Sequence, residues 1–100
     1  MNDNPLATMQ RLDSQLFDHL QTTNRLVFDD GALSKKIKLL IAMAFDAAYG
    51  AEGGVRSLAE RAIEEGASNE EIAEALRVAY HLSGVGTLYT ASRGLKEVLK

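Results

Sequence analysis

The sequence predicts an all-α fold, a bundle of five to six helices in a single domain spanning residues 1–100. Three observations predict it. Apolar residues recur at spacings of three and four along the whole chain. No stretch shows the two-residue alternation of a strand. The one proline stands at position 5, where it begins a helix rather than breaking one.

The first helix opens on Asn4 as N-cap and Pro5 as the first helical residue. Leu6, Met9, Leu12, Leu16, Phe17 and Leu20 give its apolar positions. The pattern weakens at Thr22-Thr23, and Leu26, Val27 and Phe28 add one more turn before Asp30-Gly31 breaks the chain. Ser34 caps the second helix, 35–49, whose centre LLIAMAFDAAYG is apolar on nearly every side. Such a helix is expected to be covered all round, in mid-bundle or at a subunit interface. Gly50, Gly53 and Gly54 are expected to interrupt the chain next. Val55, Leu58, Ala59, Ala62 and Ile63 form the face of a third helix that ends at Gly66. Ser68 and Glu71 make a capping box for a fourth, lined by Ile72, Ala75, Leu76, Ala79 and Ser83. A last helix runs from the Gly84–Gly86 break to about Val98, and its small residues Thr87, Ala91 and Ser92 permit close packing.

Composition narrows the chemistry. The chain has no cysteine, so disulfides and thiol redox catalysis are excluded. His19 and His81 are far apart and in no ligand-spacing motif, so no metal is expected, and nothing implies a cofactor. The net charge is −3, with no basic stripe for nucleic acid. No apolar run reaches membrane-spanning length, and the segment MNDNPLATMQ lacks the order of a signal peptide, so the cytoplasm is the expected location. A 100-residue chain buries only roughly 60–65% of its unfolded surface. With nearly half its residues apolar, it is expected to gain stability by self-association. Tyr89 and Leu95 are the expected anchors, on the second and last helices' interface.

Three segments in order, FDDGALSKKIKLLIAMA, RAIEEGASNEEIAEALRVAY and SGVGTLYTASRGL, carry a family likeness. The chain resembles the AhpD-like and carboxymuconolactone decarboxylase family over about residues 15–99. The resemblance implies a helical homo-oligomer, a homotrimer or homohexamer. Hydroperoxidase members of that family are similar in carrying Cys-x-x-Cys-x-x-x-His at the start of the third helix, with a glutamate on the helix before. Aligned through the EEGAS turn, the cysteines fall on Ala51 and Gly54, the histidine on Leu58 and the glutamate on Leu39. All four positions are vacant of the required groups, so peroxidase activity does not carry over. The decarboxylase branch usually keeps the histidine, which is again Leu58 here.

The remaining candidates are few. Asp46 is the one charge inside the apolar second helix. A carboxylate there is either an acid–base group or one that bonds Arg56, a backbone donor or solvent. His81, near the end of the fourth helix, is either an acid–base partner or a packing and dipole residue. Asp46 and His81 are the catalytic candidates. Arg56, beside the glycine-rich GAEGGVR loop, and Tyr49 are the ligand-binding ones, with a small anion as the ligand. Three functions remain open: a ligand-binding or scaffolding oligomer, a non-redox enzyme acting on a small lactone or carboxylic acid, and a partner subunit for a cysteine-containing paralogue.

Overall fold

A computed structural model of the chain describes residues 6–99. It contains six helices and, among the described residues, no strand. They are α1 (Ala7–Leu12), α2 (Ser14–Phe28), α3 (Lys35–Tyr49), α4 (Glu52–Glu64), α5 (Asn69–Ser83) and α6 (Gly86–Leu95). α3 is the hub and packs against α2, α4, α5 and α6. Leu39 and Met43 of α3, Val55, Ala59 and Ala62 of α4, and Ile72 of α5 form the centre of the core. Lys36 on α3 also reaches Glu71 on α5, with Nζ 2.9 Å from the carboxylate.

The caps explain the element ends. Ser34 Oγ accepts from the Ile37 N–H at 3.2 Å to start α3. Gly50 ends it at φ +84°, a left-handed conformation that a side chain would strain. The capping box of α5 forms as the sequence predicts. Glu71 N–H donates to Ser68 Oγ at 3.1 Å, and Ser68 N–H donates to Glu71 Oε1 at 2.9 Å.

Four expectations need correction. The single first helix is broken at Asp13, whose side chain accepts from the Leu16 N–H at 3.0 Å and so caps a new helix, α2. α2 runs unbroken through Thr22-Thr23, where both hydroxyls bond back to the carbonyls of Asp18 and His19, four residues earlier. The expected Asn4–Pro5 start lies outside the described residues. Gly53 and Gly54 do not interrupt the chain but form the first turn of α4, where glycine adopts helical geometry and the N–H groups need no intrahelical partner. α6 stops at Leu95, and residues 96–98 form turns.

Burial decides against the mid-bundle alternative for α3. Within the single chain only one side is covered: Leu39, Leu40, Met43 and Ala47 are buried, whereas Ile37, Ile41, Phe45 and Tyr49 are exposed. Leu95 is part of the chain's own core and is not free to anchor an interface, while Tyr89 does face solvent. The small residues of α6 serve intrachain packing. Thr87, Thr90, Ala91 and Gly94 are buried, and Gly94 lies directly on the first turn of α4.

Candidate functional site

Asp46 and Leu39 are seven residues apart on α3 and so share a face, the one turned to α4. The chain reverses at Gly50, the Ala51 N–H bonds to the Asp46 carbonyl at 2.8 Å, and α4 begins. This turn places the Asp46 carboxylate against Gly54. A Cβ built on Gly54 would lie 1.9 Å from Asp46 Oδ2 and 2.7 Å from its Cγ. The volume a side chain at position 54 would need is therefore filled by Asp46. The carboxylate also lies beside the first turn of α4, where the helix dipole favours negative charge. It makes no hydrogen bond or ion pair with Arg56, which is exposed.

The other three positions of the implied relay are apolar in structure as in sequence. Leu39 is fully buried, Leu58 packs half-buried against the core, and Ala51 is exposed at the turn. The start of α4 is held from its other side by α6. There Arg93 Nε donates to Glu52 Oε2, and Gly94 approaches the Glu52 carbonyl and Val55. With Asp46 and Glu52 both at this helix start, the glycine-rich turn presents two carboxylates where the sequence reading placed an anion.

The structure does not bring Asp46 and His81 together. His81 is exposed in the last turn of α5 and makes no hydrogen bond or ion pair. Neither residue lines the apolar groove between α3 and α5 or the polar cavity at the end of α2. Tyr49, by contrast, belongs to a cavity that sequence reasoning missed. An apolar groove of about 600 Å³ runs between α3 and α5. Its walls include Ile37, Ile41, Phe45 and Tyr49 from α3 and Val78 and Leu82 from α5. The Phe45 and Tyr49 rings meet at one end, with centroids 6.1 Å apart. The signal was present as the four-residue repeat of large apolar positions 37, 41, 45 and 49, a second apolar stripe beside the core one.

The family model for carboxymuconolactone decarboxylase matches residues 14–97, which is α2 through α6. The chain belongs to the carboxymuconolactone decarboxylase family. A family protein from Legionella pneumophila, whose crystal structure was determined in the apo form, superposes with a TM-score of 0.85 at 30% identity. That comparison covers 91% of this chain and 81% of the other. A curated relative, "Uncharacterized protein 4 in cox locus" of Paracoccus denitrificans, is 31% identical over 90 residues, covering 90% of this chain and 81% of its own. Within the carboxymuconolactone decarboxylase family, thiol peroxidase chemistry needs a cysteine nucleophile. This chain has none, and the place of one of the implied cysteines is taken by a glycine under a carboxylate. Among the described residues, no helix is long and apolar enough to cross a membrane.

Proposed function

We propose that this chain is a non-redox, binding or scaffolding member of its family that works as a homo-oligomer, a trimer or a hexamer. The observation that carries the reading is the α3–α5 groove. Phe45, Tyr49, Val78 and Leu82 are each more than half exposed in the single chain, and they adjoin one another along one concavity. Contiguous apolar surface of this kind marks an interaction site. Burying it against neighbouring copies supplies what a core of this size lacks. Tyr49 brings a hydroxyl to the rim, the one polar handle that a ligand held in the assembled groove would meet on α3.

Light scattering of the purified protein tests this. The expected mass is that of three or six chains, and Phe45→Glu is expected to shift it to one chain. Phe45 is exposed in the single chain, so the substitution removes no core contact, and the variant is expected to keep its helical circular dichroism at low temperature while melting below the wild type. A wild-type protein that is monodisperse as a monomer, with a melting midpoint independent of concentration, overturns the reading.

A further inference from the structure

A second cavity, of about 290 Å³, opens where the end of α2, the start of α3 and the end of α4 converge. It is polar where the groove is apolar. Arg25 from α2, Lys35 from α3 and Arg61 from α4 all line it, against a single carboxylate, Asp29. The side-chain amides of Gln21 and Asn24 complete the wall. These cations are 10 and 26 residues apart in sequence, so the fold, not a local basic run, gathers them. They do so on a chain whose net charge is −3.

None of the three forms an ion pair. The ion pairs of the described residues are Lys36–Glu71 and Arg93–Glu52, and neither involves this cavity. Two carboxylates stand close by: Asp29 lines the cavity, its backbone carbonyl accepting from Lys38 Nζ at 2.6 Å, and Asp30 Oδ1 accepts from the Lys35 backbone N–H at 2.6 Å, so the cations outnumber the acids by one. The arginines are also partly fixed. The Arg61 guanidinium lies 5.1 Å from the centroid of the Phe28 ring, and Arg25 Nη2 donates to Thr22 Oγ1 at 3.4 Å. Holding three like charges around one concavity is unfavourable by itself, and a bound anion reverses the sign of that interaction.

We infer that this cavity binds a small dianion of the phosphate type. Guanidinium and ammonium groups are the donors that suit a tetrahedral oxyanion, and the neutral amides add more. The volume sits at the lower end of ligand sites, which fits a single phosphate group rather than a large cofactor. The site is separate from the Asp46–Gly54 contact, since Arg61 lies seven residues beyond Gly54, roughly 10 Å further along α4. It also shares no lining residue with the groove.

Isothermal titration of the full chain with inorganic phosphate tests it, with sulfate as a second tetrahedral dianion and acetate as a monovalent control, all at matched ionic strength. Saturable phosphate binding is expected, accompanied by sulfate and not matched by acetate. Arg25→Gln should weaken it about tenfold, the loss of one charge-assisted contact. Arg25 is exposed and supports no core packing, and Lys35→Gln provides an independent second variant with the same expected loss. Absence of saturable phosphate binding, equal binding of acetate, or unchanged affinity in both variants overturns the inference.

Discussion

Replacing Gly94 by alanine measures how tightly α6 is seated on α4. A Cβ at that position would lie 2.8 Å from the Glu52 carbonyl oxygen, 2.8 Å from Val55 Cβ and 2.9 Å from Val55 Cγ1. Carbon atoms prefer separations of about 3.5–4.0 Å, so the contact is short by most of an ångström. Two of the three atoms met are a backbone carbonyl and a Cβ, which cannot swing aside as the tip of a flexible side chain would. Overpacking of this kind costs about 1–3 kcal/mol. Against it stands the gain from replacing a helical glycine, up to about 1 kcal/mol. Gly53 separates the two contributions. It is also helical, and a Cβ there meets nothing within 4 Å. Gly53→Ala is therefore expected to keep or raise stability, and Gly94→Ala to fall about 1–3 kcal/mol below it. In thermal melts at equal protein concentration, a gap of 1 kcal/mol corresponds to roughly 4–8 °C for a domain of this size. If Gly94→Ala melts at or above Gly53→Ala, the close approach of α6 to α4 is not what the geometry requires.

Ser68→Ala removes the hydroxyl that accepts the Glu71 N–H, and urea denaturation is expected to show a loss of about 1 kcal/mol. The Glu71 carboxyl is held below its ordinary value of 4.5, first by the Ser68 N–H and then by the Lys36 ammonium. A depressed folded-state value favours the fold above the unfolded value, and that contribution is lost as pH falls through the lowered one. Stability should therefore decline with acidification below about pH 4.5, and Glu71→Gln should flatten that limb of the pH–stability curve. In a coupled assay with an organic hydroperoxide, the protein should show no turnover above buffer, because the chain supplies no thiol to be oxidised.

Much of the fold was legible because its signals are local. Ser34 and Gly50 bracket α3 in the sequence as they do in space, and Ser68 with Glu71 marks the start of α5. Asp13 was not legible as a break, since it interrupts an apolar repeat that continues in phase on both sides without a capping box. The Gly53-Gly54 pair misled for the opposite reason. Glycine is a weak helix former in isolation, but two turns of packing against α3 and α6 outweigh that preference. The apolar character of α3 was plain, yet only the positions of its neighbours decide which side stays open. Asp46 stood out by its chemistry, while its contact with Gly54 depends on the turn at Gly50 and cannot be read from spacing. Lys35 shows in the sequence only as part of the Lys35, Lys36, Lys38 cluster offset by Asp29 and Asp30, and its meeting with Arg25 and Arg61 is not legible, because three helices from separate parts of the chain must assemble first.

The seating of the Asp46 carboxylate over Gly54 ties two positions on different helices together as the chain changes. A cysteine, or any other residue with a Cβ, introduced at position 54 meets Asp46 at 1.9 Å while that side chain keeps its place. Shortening position 46 first opens the space, after which position 54 becomes permissive. In the reverse order the Asp46 side chain has to turn away from α4, a rotation that a half-buried carboxylate can make but that gives up its seat beside the helix start. Positions 46 and 54 are therefore coupled, and a substitution at one is felt in the side-chain position of the other.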